Sequence, residues 1–343
     1  MAAWTWLVYT ALEALIALVC CLGNALVVLA VCVGVKGALR EPTFCFLVSL
    51  AAADFLVGVA AVPLAVLLDG WAGMAPRLCL LLSCVVLVLT QASVLSLLAI
   101  AVDRYLRLHT PLRYKNLTRP SRTWLTVAIC WLLSCVLGFT PLFGWNNFPP
   151  LAPPGASNAS SEPAAPPCTF LSMISLQFMV YFNFLGCVLL PLLAMTLLYV
   201  RVFWRLQGRL RDSSPQARVS LLRERRLACS LALVLFLFAG CWIPLHLMNW
   251  ALTRSRKRPC IQAGILLSHA NSAVNPVVYA YRIPKIQQAY GHIWRRFLAV
   301  VSCRCGGPDR PGSRTKWTES FEWGKQTVET RSHPPRDLMN PAM

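Results

Sequence analysis

Six ionisable side chains lie inside long apolar stretches of this sequence or at their ends. They are Glu13, Asp54, Asp103, Arg104, His246 and His269. At the centre of a bilayer a charged side chain costs about 2.5–3.5 kcal/mol on insertion scales, so such residues usually mark ion sites, proton relays or switches. The carboxylate of Asp54, in the middle of SLAAADFLVG, therefore predicts a cation or proton partner. The adjacent Asp103 and Arg104 end an apolar stretch and predict a charge switch.

The composition is typical of a membrane protein. Of 343 residues, 57% are hydrophobic and only 13% are charged, whereas soluble proteins carry roughly 25% charged residues. Seven apolar runs are each about as long as a helix that crosses a bilayer. The runs are roughly Trp4–Val33, Phe44–Leu68, Leu78–Leu106, Trp124–Trp145, Met173–Phe203, Leu227–Leu252 and Cys260–Tyr281. The sequence therefore predicts an all-α membrane protein, a bundle of seven transmembrane helices.

The net charge of +19 does not indicate a nucleic-acid partner, because the basic residues cluster in alternate connections and in the tail. Lysine and arginine accumulate on the cytoplasmic side of membrane proteins. The N-terminus is therefore predicted to be extracellular and the C-terminus cytoplasmic. One predicted extracellular connection, the cationic run 254–258, departs from this pattern. In the extracellular loop 145–172, Asn158 begins an Asn-Ala-Ser glycosylation acceptor.

Cys79 begins the third apolar run, and Cys168 lies in the predicted loop 145–172 at the same extracellular face. That compartment is oxidising, so we expect the two cysteines to form a disulfide. Closing a ring of about 90 residues would contribute roughly 4–5 kcal/mol in the chain-entropy model. Two free thiols are the alternative.

A short amphipathic helix, residues 284–298, is predicted after the seventh run. Ile286, Tyr290, Ile293, Trp294 and Phe297 share one face of it, which favours a helix lying on anionic membrane lipid. Cys303 and Cys305 follow and are candidate palmitoylation sites. We expect residues 1–300 to form the receptor-like bundle with its amphipathic helix, and residues 301–343 to be a disordered cytoplasmic tail.

Sequence motifs in all seven runs resemble those of rhodopsin-family G-protein-coupled receptors. They are Gly23-Asn24, LAAAD ending at Asp54, Asp103-Arg104-Tyr105, Trp131, Pro191 with Tyr199, CWIP at 241–244 and NPVVY at 275–279. Longer stretches, such as VDRYLRL, TPLFGWN and SHANSAVNPVVYAYRI, are similar to adenosine receptors. Arg107, after the Asp-Arg-Tyr motif, resembles the types that couple to inhibitory G proteins (types one and three). The resemblance implies a plasma-membrane receptor for adenosine or a related purine that lowers cyclic AMP.

The resemblance also implies a ligand site. Asn249 would hold the adenine edge, and Phe170 would stack on the adenine ring. Glu13 would orient His269, and Trp242 would lie beneath the ligand. Apolar walls are implied at Leu245, Met179, Val86, Leu87 and Ile265, and ribose contacts at Thr90, Ser268, His269 and His246.

Two further sites are implied deeper in the bundle. No cofactor is expected, but the resemblance implies a site that could hold an allosteric sodium ion, at Asp54, Ser93, Asn271 and Asn275. A G-protein switch would consist of Asp103, Arg104, Tyr105, Tyr199, Glu224 and Tyr279. Heterotrimeric G proteins are the implied partners, and arrestin and receptor kinases are further candidates.

Leu171 departs from the pattern, because adenosine receptors commonly have a glutamate directly after the stacking phenylalanine. A receptor for another purine or small molecule therefore remains an alternative. A secondary transporter is a second one, although the sequence shows no internal repeat of the kind common in transporters. Enzymatic activity is not expected, because no second intramembrane aspartate faces Asp54 and the two histidines are accounted for by ribose.

Overall fold

The computed structural model describes residues 2–35, 37–70, 75–111, 114, 119–147, 168–251 and 258–305, with side chains described at 4–35, 37–67, 75–111, 114, 119–147, 168–250 and 261–299. Its α-helices are α1 (Ala2–Leu29), α2 (Pro42–Leu56), α3 (Val62–Gly70), α4 (Pro76–His109), α5 (Pro120–Gly138), α6 (Phe170–Met173), α7 (Leu190–Arg211), α8 (Pro215–Ala251), α9 (Arg258–Arg282) and α10 (Pro284–Cys305). Contacts divide the chain into two compact units, Met1–Phe297 and Leu298–Met343, and the bundle is the first.

Seven helical segments form the bundle. Six of those described are long and apolar enough to cross a membrane: Trp4–Gly34, Pro42–Leu67, Pro76–His109, Pro120–Gly138, Phe178–Arg211 and Pro215–Trp250. The seventh, α9, has 25 residues and is long enough, but it carries a polar stripe that includes His269, Ser272 and Asn275. In the described part of the chain no β-strand is present, only an isolated bridge between Asn146 and Ile174. The predicted all-α, seven-helix bundle is confirmed.

The third spanning helix, α4, is the centre of the bundle. It packs against α2, α3, α5, α6, α7 and α8. The main apolar core lies around it, with buried side chains such as Leu50, Ile100, Met195, Phe238 and Tyr279. A helix in contact with so many others has little freedom to move. The functional groups at the two ends of α4 are therefore held in a fixed register.

Two membrane-spanning prolines are preceded by π-helical segments. The segment Val57–Ala61 precedes Pro63, and the segment Phe178–Leu189 precedes Pro191. Proline removes one backbone donor, and a π-helical turn offers the freed carbonyls other partners. The N–H of Val62 accordingly donates to the carbonyl of Val57, five residues earlier. By contrast, Pro244 and Pro276 lie inside continuous α-helices, α8 and α9.

The amphipathic helix α10 begins at Pro284, as predicted, but extends to Cys305 rather than ending at 298. The sequence offers no glycine or proline after Gly291 until Gly306, so nothing stops the helix earlier. Ile286 is fully buried, and Tyr290, half-buried against the core, has its pKa raised by burial to about 12. Trp294 and Phe297 are exposed, as expected for a face in contact with lipid. The side chains of Cys303 and Cys305, Asn158 and the tail from residue 306 lie outside the described residues.

Gly138 allows α5 to approach α4 closely. A β-carbon at this position would lie 2.5 Å from Cγ2 and 2.7 Å from Cα of Val88, so the backbone of α4 would have to move. Gly208 in α7 is the matched control, because a β-carbon there meets nothing within 4 Å. We expect Gly138→Ala to lower stability by about 1–3 kcal/mol, the usual cost of overpacking. Thermal melting in detergent measures this, and equal melting temperatures for both variants would contradict the close approach.

Candidate functional site

One end of the bundle is closed by a disulfide. Cys79, at the start of α4, is joined to Cys168, with the two Cα atoms 5.9 Å apart. Thr169 then caps the four-residue helix α6, because its hydroxyl accepts from the N–H of Ser172 while the Ser172 hydroxyl accepts from the N–H of Thr169. Phe170 is the first residue of α6. The disulfide and the cap together hold Phe170 over the end of the bundle.

Three of the residues predicted to contact a ligand meet at this end. Phe170 packs against a buried cluster that includes Leu87, Met179 and the disulfide. Val86 does not belong to it, but packs against a second cluster, which consists of Val57, Ala61, Val62 and Leu89. Leu87 and Met179 therefore lie in one cluster with Phe170, whereas Val86 packs against another, and the wall roles of all three remain predictions.

The other residues predicted to be apolar walls, Leu245 and Ile265, lie where α8 faces α9. Leu245 and Met248 of α8 approach Gly264 of α9, where a β-carbon would lie 3.0 Å from Cδ1 of Leu245 and 2.4 Å from Cε of Met248. Asn249 is buried one turn after Leu245. Ile265 is half-buried next to Gly264 on α9. The close packing of the two helices brings these side chains to one end of the interface.

The polar groups at the same end are partly satisfied within the protein. Nδ1 of His269 and Oε2 of Glu13 lie 2.8 Å apart, and both side chains are buried. The hydroxyls of Thr90 and Ser268 donate to carbonyls of their own helices, at Leu87 and Ile265. Each hydroxyl keeps its lone pairs for another donor, and His269 keeps Nε2. These atoms could therefore meet the hydroxyl groups of a ligand.

An aromatic stack runs through the bundle below these groups. The ring of His246 lies 4.6 Å from that of Phe184 and 5.7 Å from that of Trp242, which in turn stacks on Phe238 at 5.9 Å. Both ring nitrogens of His246 and Nε1 of Trp242 lack a hydrogen-bond partner among the described residues. His246 is almost fully buried, so its predicted ribose contact would require access past the ring of Phe184 or Trp242.

Asp54 is fully buried and accepts three hydrogen bonds. The hydroxyls of Ser93 and Ser272 both donate to Oδ1 at 2.8 Å, and the amide of Asn275 donates to Oδ2 at 2.7 Å. Of the three other residues predicted at a sodium site with Asp54, two, Ser93 and Asn275, thus bond its carboxylate. Asn271 is buried nearby, yet in the described part of the chain it makes no hydrogen bond with that carboxylate, and Ser272 takes this place.

At the opposite end of α4, three of the residues predicted to form a charge switch are paired with one another. Arg104 pairs with Asp103 at 2.9 Å and with Glu224 of α8 at 3.1 Å. Arg107 also pairs with Glu224, at 2.9 Å. The three predicted tyrosines take no part in these pairs: Tyr105 stacks on His109, whereas Tyr199 and Tyr279 are buried in the core.

Two partners of Asp103 were missed from the sequence. The hydroxyl of Thr43, in the first turn of α2, donates to Oδ2 at 2.6 Å, and that of Tyr114 donates to Oδ1 at 2.8 Å. Burial and the carboxylate of Asp103 raise the pKa of Tyr114 above its ordinary value, so it stays a donor at neutral pH. Gln91, which donates to Asn183 across two spans, was also missed. The sequence signal for Gln91 and Asn183 was that both are polar residues inside apolar runs.

The fold and these buried groups are those of a seven-helix membrane receptor, and residues 23–279 match the family described as 7 transmembrane receptor (rhodopsin family). The chain is 42% identical over 306 residues to Adenosine receptor A3 of Ovis aries, covering 88% of this chain and 93% of that protein. It is 39% identical to Adenosine receptor A2b of Rattus norvegicus over 325 residues, covering 91% and 97%, and 40% identical to Adenosine receptor A2b of Mus musculus over 322 residues, covering 90% and 96%.

The chain belongs to the adenosine receptors, within the rhodopsin family of G-protein-coupled receptors. It is accordingly a multi-pass plasma-membrane protein that signals through G proteins. The family consists of receptors and not of enzymes, so the prediction of a non-enzyme is confirmed.

The contact between Glu13 and His269 joins the first spanning helix to the seventh. The side chains are 0% and 8% exposed, whereas those of the Glu41–Lys285 pair are 43% and 52% exposed. We expect Glu13→Ala to destabilise the protein by about 2–3 kcal/mol, because His269 would lose its buried partner. Glu41→Ala should cost at most about 1 kcal/mol, as usual for exposed ion pairs. Thermal melting compares the two, and an equal loss would contradict the structural role of Glu13.

Proposed function

We propose that this receptor binds adenosine at the disulfide end of the bundle and acts through an inhibitory G protein to lower cyclic AMP. The observation that carries the proposal is that Phe170, Leu87 and Met179 meet in one apolar cluster at this end of the bundle. The buried pair of Glu13 and His269, which the sequence also predicted at the ligand site, supports it. Relatives named as adenosine receptors, 39–42% identical to this chain, support adenosine as the ligand.

In the proposed complex each part of the nucleoside meets a matching group. The side-chain amide of Asn249 has both a donor and an acceptor, as the edge of adenine does. The ring of Phe170, held by the α6 cap, offers a face on which a purine can stack. Glu13 occupies Nδ1 of His269, so Nε2 is the atom left for a ribose hydroxyl.

Leu171 places an apolar, exposed side chain beside Phe170. It cannot accept a hydrogen bond from the exocyclic amine of adenine. Asn249 is then the main group that hydrogen-bonds the adenine edge, so its removal should strongly weaken the binding of adenosine.

The site is coupled to the other end of the bundle through α8. This helix carries Asn249, the stacked rings of His246 and Trp242, the interior Pro244 and, at its start, Glu224. A ligand that pulls on Asn249 would therefore act on the helix that closes the charge switch. Movement of α8 away from α4 would separate Glu224 from Arg104 and expose Arg104 to the G protein.

A sodium ion at Asp54 is part of the proposal. The carboxylate oxygen Oδ1 and the hydroxyl oxygens of Ser93 and Ser272 converge, and oxygen atoms are the ligands that hard cations prefer. These residues fit such an ion. They connect three spanning helices, so an ion held by them would favour the closed packing.

The inhibitory coupling depends on Arg107 rather than on the comparisons, because the relatives include A3 and A2b types at nearly equal identity. Arg107 resembles the inhibitory types, and its pairing with Glu224 adds a second contact to the closed switch. We also propose that the N-terminus and the disulfide lie outside the cell and that the charge switch lies inside, as the distribution of basic residues indicates.

The first test is adenosine-dependent cyclic AMP in cells that express this chain. We expect stimulated cyclic AMP to fall, and Asn249→Ala to weaken the potency of adenosine about 100-fold, equivalent to about 2.7 kcal/mol. Leu247→Ala, an exposed position on the same helix, is the control and should leave the potency unchanged. A rise in cyclic AMP would overturn the coupling. An equal response of Asn249→Ala at equal surface expression would overturn the ligand pose.

The second test concerns the ion. For a site with a dissociation constant of about 10 mM, about 150 mM sodium should stabilise the purified receptor by about 1.6 kcal/mol. Asp54→Asn keeps the shape but removes the charge, so it should abolish the sodium-dependent rise in melting temperature. Asp212→Asn, in an exposed position, is the charge-matched control. A sodium effect that persists in Asp54→Asn, or one that choline reproduces, would remove the ion from Asp54.

A further inference from the structure

His109 is the last residue of α4, at the charge-switch end of the bundle, and none of the sites described above includes it. Its ring stacks on that of Tyr105, one turn earlier, with the ring centroids 4.2 Å apart. The side chain is half-buried, and its Nε2 atom is buried without a hydrogen-bond partner among the described residues. Imidazole changes its charge between about pH 5 and pH 8, so the surroundings of this ring decide what a proton does here.

The neighbouring Leu108 shows which helix the end of α4 packs against. Leu108 forms a buried cluster with Val202 and Leu206 of α7. The helix α7 in turn packs on α8, which carries Glu224. His109 therefore lies beside the contact that holds the end of α7 against α4, one helix away from the charge switch.

Three arginines of α7 lie around His109. They are Arg201, Arg205 and Arg209, and their spacing of four residues places them on one face of the helix. All three are close enough to act on the charge of the imidazole ring. None of them takes part in an ion pair of the described residues. A proton on His109 would therefore add a fourth positive charge to an uncompensated cluster.

The acids near this end of α4 do not offset that charge. Asp103 and Glu224 are engaged already, with the partners Arg104, Arg107, Thr43 and Tyr114. The backbone of Arg201 and the C-terminal end of α4 favour a cation at His109. A helix end, however, carries only about half an elementary charge, whereas the three guanidinium groups carry a full charge each. The balance of these fields opposes a proton on the ring.

We propose that His109 is a proton-sensitive contact that holds α7 against α4 when its ring is neutral and releases α7 when its ring is protonated. Both nitrogens of a protonated ring are donors, so Nε2 would become a buried donor without an acceptor. A ring that turns out towards water escapes this penalty and the repulsion of the arginines. It then leaves Tyr105 and uncovers Leu108. Because α7 packs on α8, its release works against the contact between Arg104 and Glu224.

The direction of the pH effect follows from the form that the packing favours. An imidazole in water is half protonated at about pH 6.5. The present packing favours the neutral ring, so the contact is fully formed at about pH 7.5 and is lost as the pH falls below about 6.5. In the orientation proposed above this end faces the cytoplasm, so cytoplasmic acidification is the signal. The proposal does not depend on adenosine or on the class of G protein.

Amide hydrogen exchange over residues 196–212, at the end of α7, measures the contact in the full-length receptor purified in detergent. The wild type is compared with His109→Phe, which keeps a ring but cannot take up a proton, and with His292→Gln, which removes an exposed histidine of α10. Comparison at one pH cancels the intrinsic exchange rates. We expect equal exchange at about pH 7.5. At about pH 5.5, one unit below half protonation, the wild type and His292→Gln should exchange up to about ten-fold faster than His109→Phe.

Two further variants keep this result interpretable. His109→Arg carries a fixed positive charge and should exchange fast at both pH values. His109→Gln is a second neutral variant, which separates the loss of the proton from the shape of the phenyl ring. Slow exchange of His109→Arg at about pH 7.5 would overturn the proposal. So would wild-type exchange at about pH 5.5 that is no faster than that of the two neutral variants.

The effect on the charge switch is measured without ligand, as basal nucleotide exchange on purified inhibitory and stimulatory G proteins tested in turn. At about pH 6 the wild type should be up to about four-fold more active than His109→Phe, by the same proton occupancy. At about pH 7.5 the two should be equal. Equal activity at both pH values would overturn the link from His109 to the charge switch. No measurement here uses adenosine or cyclic AMP, so failure is distinct from failure of the proposed ligand or coupling.

Discussion

A polar side chain inside a bilayer has to find its partner within the protein, because lipid offers none. In this receptor the buried carboxylates find theirs on other helices. Glu13 of α1 meets His269 of α9, and Asp54 of α2 meets Ser93 of α4 and Asn275 of α9. These contacts join helices that are far apart in the sequence. Apolar packing and these directional bonds together select one register for each helix.

The same constraint explains how much could be predicted from the sequence. The seven apolar runs stand out because they have the length and composition of helices that span a bilayer. Asp54 and the pair Asp103–Arg104 stand out because charged side chains are costly inside a bilayer. The choice between Asn271 and Ser272 at Asp54 does not follow from such rules, because both lie within one turn of Asn275. The rotation of α9 in the bundle decides it, and that rotation is a result of packing.

Two other features were beyond pattern reading for related reasons. Thr43 and Tyr114 reach Asp103 from segments that the sequence alone does not dock against α4. The π-helical stretches before Pro63 and Pro191 have the same apolar composition as the neighbouring α-helices. The prolines were therefore the only signal of them in the sequence. Similarly, Val86 and Leu87 are adjacent in the sequence and chemically alike, but successive residues of a helix point about 100° apart. The structure places Leu87 in the cluster that Phe170 packs against and Val86 against a different one.

Polar groups that lack a partner lie between the two ends. Nε1 of Trp242, both ring nitrogens of His246 and the hydroxyl of Tyr279 are buried without a hydrogen-bond partner among the described residues. Each such group carries a desolvation penalty in the present packing. The Arg104–Glu224 contact opposes any rearrangement that would relieve this penalty by moving α8. The closed bundle is thus a balance between satisfied charges at one end and unsatisfied polar groups in the middle. In the proposed complex, a ligand held by Asn249 acts on this same helix and shifts the balance by its differential affinity for the two packings.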